Sequence, residues 1–195
     1  MRPLVPLAIV AAALLAGCGG DSSRAFGESD LPKVVLGPSE GPKGLVYWRQ
    51  QSGANMFEKE GEEGASGLRI LRRHGFLADY GSQFVARSRA APVQYAESFA
   101  IVFRDEDGAG DSLAIFRSRQ REHGRDVTVV DSGGLGEESW ALRGVFFPGA
   151  PPTYFYAWRR DNLMLGFALA GTPEAVRETA ARAFAAKMDD RAERV

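Results

Sequence analysis

The sequence predicts an α+β domain: a twisted antiparallel sheet with two to three helices packed mainly on one face. Three observations lead there. Apolar residues alternate with a period of two over several segments, as half-buried strands require. Connections of hairpin length dominate the second half of the chain, which favours antiparallel pairing. Between the strand-like segments lie a few runs with helix start and stop residues.

Leu31 to Leu36 reads as a short strand, followed by the turn-rich Gly37-Pro38-Ser39-Glu40-Gly41-Pro42. Leu45 to Gln50 reads as a second strand, and the Gly- and Glu-rich residues 52–65 as a loop. Ser66 is placed to cap a helix through His74, with Leu68, Leu71 and Arg72 inward and Gly75 ending it. Phe76 to Ser88 alternates as a strand. Phe76, Ala78, Tyr80, Phe84 and Ala86 share one face, and Asp79, Gln83 and Arg87 share the other. Tyr95 to Arg104 follows Pro92. Its Tyr95, Phe99, Ile101 and Phe103 lie opposite Ala96, Ser98, Ala100 and Val102, a small-residue face suited to close packing.

Asp105 to Gly110 reads as a turn, and Asp111 as the cap of a helix reaching His123, with Leu113, Phe116 and Gln120 in register. Val127 to Val130 and Ser139 to Phe147 are strand-like, separated by a loop containing Gly133, Gly134 and Gly136; Pro148, Pro151 and Pro152 mark another loop. Thr153 to Arg159 and Leu163 to Ala170 flank Arg160-Asp161-Asn162, a tight-turn sequence, and form the clearest hairpin. Thr172-Pro173-Glu174 has the residues of a helix start. Val176, Ala180, Ala183, Phe184 and Met188 then recur at helical spacing, and the polar tail Asp189 to Val195 is expected to fray.

The first residues carry a different signal. Met1-Arg2-Pro3 is a short positive region, and Leu4 to Leu15 is an uncharged run rich in Ala, Leu and Val. As a helix that run would be about 18 Å long at about 1.5 Å per residue, short of the roughly 30 Å hydrocarbon core. A signal peptide is therefore the better reading than a spanning helix. It ends Leu15-Ala16-Gly17-Cys18, the lipobox pattern of bacterial lipoproteins. The pattern implies a diacylglyceryl thioether on Cys18, palmitate among its acyl chains, and cleavage between Gly17 and Cys18. Small residues admit the backbone to a peptidase, and only a thiol can take the thioether. Buried acyl chains contribute about 0.8 kcal/mol per methylene, so two or three hold firmly. The expected organisation is a leader at 1–17, a flexible tether at 18–30 and one extracytoplasmic domain at 31–190.

Composition narrows the function. Of 195 residues, 45 % are hydrophobic, enough for one packed domain. The net charge of -1, without a cationic block, argues against nucleic acid as a partner. Cys18 is the only cysteine, so the chain forms no internal disulfide and must be stable by packing.

Chemistry-bearing motifs are sparse. Asp105-Glu106-Asp107-Gly108-Ala109-Gly110-Asp111 resembles a calcium loop, but Ala109 and Phe116 fall at ligand positions and the closing Glu is missing. An acidic turn before a helix is the preferred reading. His74 and His123 each precede a glycine at an expected helix end, where a cation meets unsatisfied carbonyls. Gly133-Gly134-Leu135-Gly136 lacks the strand and helix context of a phosphate cradle. No nucleophile elbow occurs, and no catalytic residue, metal or cofactor is assigned. The hairpin is the one candidate ligand site. Tyr154, Tyr156 and Trp158 share a face, Phe155 and Ala157 the other; the partner strand is apolar on both faces as well. Two explanations stand: a central strand pair covered on both sides, or a groove for an apolar or aromatic ligand.

The chain resembles the uncharacterised lipoproteins of actinobacteria and their relatives. The resemblance rests on the lipobox, Leu31-Pro32 with Pro42-Lys43-Gly44, and the helix start within Phe103 to Ala109. It continues in Leu135-Gly136-Glu137-Glu138-Ser139 and Trp158-Arg159-Arg160-Asp161-Asn162-Leu163. Some such lipoproteins resemble PsbP-like or kinase-sensor-like domains. That implies a curved antiparallel sheet backed by helices, in a binding or assembly module. The expectation is thus a non-enzymatic module at the extracytoplasmic face of the cell membrane, lipid-anchored through Cys18. It would bind an envelope protein or a small apolar ligand. Carriage of a lipid beside the aromatic hairpin and an envelope hydrolase are the alternatives.

Overall fold

A computed structural model describes residues 25–52, 61–146 and 149–195. Leader, Gly17 and Cys18 lie outside these residues, as do most of the expected loop at 52–65 and Phe147 and Pro148.

The expected α+β class is the observed one. Seven strands form one antiparallel sheet: β1 (Leu45–Ser52), β2 (Phe76–Ala86), β3 (Val93–Phe103), β4 (Arg125–Val130), β5 (Glu138–Val145), β6 (Thr153–Arg160) and β7 (Leu163–Gly171). Their spatial order is β1-β2-β3-β7-β6-β5-β4. The chain crosses once, from β3 to the far edge, and then returns strand by strand until β7 pairs with β3. Four α-helices accompany the sheet among the described residues: α1 (Leu31–Val34), α2 (Gly61–Arg73), α3 (Glu106–His123) and α4 (Glu178–Arg194).

β7 sits between β3 and β6 and is buried along its whole length, so both of its faces must be covered. The helical cover is accordingly shared. One core contains Leu31, Val34, Ala100, Tyr156, Trp158, Phe167, Ala185 and Met188, beneath α1 and α4. The other contains Phe99, Ile101, Leu113, Trp140, Phe155 and Met164, beneath α3, with Leu71 of α2 at its margin. Small residues make the close approaches. A Cβ on Gly166 would lie 2.1 Å from Cζ of Phe99, so only glycine lets that ring lie flat over β7.

Several elements differ from the sequence reading, each for a physical reason. Residues 31–34 form a helix instead of a strand, because Leu31, Val34 and Val35 bury a helical stripe and Pro32 suits a helix start. α2 begins five residues before Ser66; Leu68 is buried but Arg72 is exposed. A bulge at Leu77 flips the phase of β2, so Phe76 joins the α3 core while Ala78 joins the α4 core. The cap of α3 is Asp105, whose carboxylate accepts from Gly108 N–H at 2.8 Å, and not Asp111. Gly108 is needed there, because a Cβ would lie 2.0 Å from the His74 carbonyl oxygen.

Near the C-terminus, Thr172 starts a single turn, with Ala175 and Val176 N–H bonding its carbonyl. The backbone is extended again at Arg177, and α4 begins at Glu178. Its buried stripe is Ala181, Ala185, Met188 and Ala192; Ala180 and Ala183 are exposed. The expected frayed tail is the last two turns of α4. It is held by Arg160, which donates to Asp189 at 2.8 Å and to Glu193 at 2.8 Å. The folded domain also begins before residue 31, since Phe26 is buried and Glu28–Asp30 form a 3-10 turn.

Candidate functional site

The hairpin residues come first, since the sequence singled them out. Tyr156 and Trp158 point under α4 and are fully buried; Tyr154 is half-buried, with the Arg143 guanidinium 5.8 Å from its ring centre. Burial pushes the Tyr156 hydroxyl well above the ordinary tyrosine range, with the Glu178 charge adding to it, and the hydroxyl reaches the Glu178 carbonyl at 3.4 Å. Leu165, Phe167, Ala181, Ala185 and Met188 pack into the same core. Side chains therefore fill this face where Tyr156 and Trp158 lie, which is the covered-core arrangement of the two that the sequence allowed.

The two histidines stand apart. His74 follows α2 and lies 3.2 Å from the Asp111 carboxylate, whereas exposed His123 ends α3 at the opposite end of that helix. Asp111 and His123 are twelve residues apart along α3, about 18 Å, so the pair does not converge. No group of three or more His, Cys, Asp or Glu suited to a metal occurs among the described residues. None of their helices is long and apolar enough to cross a membrane. An open depression between α3 and β5 is lined by Arg117, Arg121, Glu138 and Trp140, a mixed-charge surface that converges on no single atom.

One polar cluster was not singled out by the sequence. On the α3 side of the sheet, Arg49 of β1, Gln83 of β2 and Glu97 of β3 stand in one register row. Arg49 Nε donates to Gln83 Oε1 at 2.8 Å, and Gln83 Nε2 donates to Glu97 Oε1 at 2.8 Å. Tyr95 donates its hydroxyl to the other carboxylate oxygen at 2.9 Å. The row continues into Ala168 and Phe155, so the polar stretch gives way to a small residue and then an aromatic wall. A bulge sets Trp48 outward from edge strand β1, with the Arg49 guanidinium 4.1 Å from its ring centre.

Desolvation raises the Glu97 carboxyl above its ordinary range; the hydrogen bonds from Gln83 and Tyr95 and the Arg49 charge oppose the rise. Yet Glu97 keeps part of its surface open to solvent. Gln83 stands between it and Arg49, so Glu97 keeps acceptor capacity that its two donors do not consume. Asp79 shares the face but pairs with Ile101, four positions along β3, about 13 Å away. The two carboxylates are too far apart for the acid pairs of glycoside hydrolysis, which lie roughly 5–10 Å apart. The sequence held one clue, a Glu inside an apolar strand, but Gln83 and Arg49 are distant in sequence and only the register joins them to it.

No family model and no curated protein matches the chain. Among solved structures, it is similar to the extracellular domain of PknH from Mycobacterium tuberculosis, with a TM-score of 0.63 and 10% sequence identity. The match covers 89% of this chain and 100% of that one. At this identity the likeness concerns the fold alone.

Proposed function

We propose that the chain is a non-catalytic binding module of the extracytoplasmic envelope, tied to a membrane through lipid on Cys18. The observation that carries the binding role is the Arg49–Gln83–Glu97–Tyr95 row, a hydrogen-bonded line of polar side chains that ends in a partly exposed glutamate and runs on to Ala168 and Phe155. Such a row suits a small polar ligand that donates hydrogen bonds, an amine or a hydroxyl-rich molecule, better than a lipid chain. The likeness to an extracellular domain supports the location, and Leu15-Ala16-Gly17-Cys18 supports the anchor. Convergence of a nucleophile or carboxylate pair, which hydrolysis would need, is not part of this arrangement.

Native mass spectrometry of the chain extracted from membranes tests the reading. The expected wild-type spectrum contains a non-covalent adduct that activation releases, and Glu97→Gln, nearly isosteric, carries several-fold less of it. No adduct on either chain, or equal adducts on both, would contradict the assignment.

A further inference from the structure

The point where the chain enters the fold fixes which end can face a bilayer. Phe26 N–H donates to Asn162 Oδ1 at 2.7 Å, and Asn162 Nδ2 donates back to the Phe26 carbonyl at 3.0 Å and to the Phe103 carbonyl at 2.7 Å. Phe26 and Asn162 are both buried. The entry point is therefore clamped to the β6–β7 turn, beside the end of β3 and the start of α3. The opposite end holds the β2–β3 turn, where Pro92 accepts from Thr172 N–H at 2.7 Å.

β3 runs between these ends. Its ten steps from Phe103 to Val93 rise about 33 Å. Eight steps separate Cys18 from Phe26, and fully extended they reach about 28 Å. An inverted domain would need Phe26 some 33 Å from the bilayer, beyond the reach of its own tether.

We infer that the anchored domain stands with its β6–β7 turn toward the membrane and displays the Glu97 row on the half that faces away. The inference rests on the anchoring through Cys18 proposed above. Glu97 lies six steps along β3 from the clamped end, about 20 Å farther from the bilayer. The partner of the row thus arrives from the aqueous side and not out of the anchoring leaflet.

The anchor itself supplies the means of testing this. Lipidation consumes the only thiol, so an introduced cysteine is labelled alone. Asp107→Cys, exposed at the start of α3, marks the membrane end; Arg89→Cys, exposed in the β2–β3 turn, marks the far end. Each full-length lipidated chain is labelled with a fluorophore and reconstituted in phosphatidylcholine vesicles carrying a headgroup nitroxide. Flotation is measured first. The expected result is co-flotation of both, with several-fold stronger quenching at position 107 than at 89. Co-flotation with equal quenching, as from a domain lying on its side, or with the reverse order, overturns the orientation alone. Failure of both chains to float overturns the anchor and the orientation with it.

Discussion

Asn162→Ala is the most informative single perturbation of the fold. The side chain is buried and joins three backbone groups: the N–H and carbonyl of Phe26 and the carbonyl of Phe103. A net contribution of about 1 kcal/mol per bond gives about 3 kcal/mol for the three. With a urea slope near 2 kcal/mol/M for a domain of this size, the unfolding midpoint falls by about 1.5 M. The entry segment is the part best able to regain water, so loss of the clamp also lowers hydrogen-exchange protection from Phe26 through Val34. Asn162→Asp keeps the acceptor for Phe26 N–H but sets an oxygen against two carbonyl oxygens. It is expected to be at least as damaging near neutral pH. A midpoint change under about 0.3 M together with unchanged exchange in the entry segment would refute the clamp.

Two further predictions concern the α4 side. Trp158→Ala empties a fully buried site and is expected to cost about 3–5 kcal/mol in urea unfolding; a loss near zero would mean the face is open instead of packed. Glu40 accepts from Gly37 N–H and Lys187 and is ion-paired with Arg191, whose hydrogen bond is the main reason its carboxyl falls from 4.5 to about 2. Because its folded value is depressed, its contribution is present above pH 4.5 and lost as pH falls toward 2. Glu40→Gln should therefore be less stable than wild type at neutral pH, with the gap closing across that window; a pH-independent gap would contradict it.

How far the sequence could be read depended on whether neighbours along the chain carried the signal. Alternation in Tyr95 to Arg104 is local, and both faces of β3 came out as expected: large Phe99, Ile101 and Phe103 against α3, small Ala96 and Ala100 under the entry segment and α4. The β6–β7 hairpin was legible from Asp161-Asn162, where Asp161 takes a positive φ of 47°. Misreadings came where a local signal was satisfied locally. Thr172-Pro173-Glu174 spends its helix-start chemistry on one turn, and α4 restarts at a different phase. Gly108 looks like a turn residue because the sequence cannot show the His74 carbonyl packed against the helix start. The Glu97 row was invisible for a related reason. Arg49, Gln83 and Glu97 meet through two strand pairings, and β1 carries a bulge that sets which of Trp48 and Arg49 faces the row.

The anchor is the claim on which location, orientation and direction of ligand access all depend. Metabolic labelling with radioactive palmitate, followed by membrane fractionation of wild type and Cys18→Ser, tests it most directly. The account predicts a labelled, membrane-bound wild type of the mass expected for cleavage after Gly17, and a Cys18→Ser chain that is unlabelled and released. A Cys18→Ser chain that still takes up palmitate and stays with the membrane would contradict it.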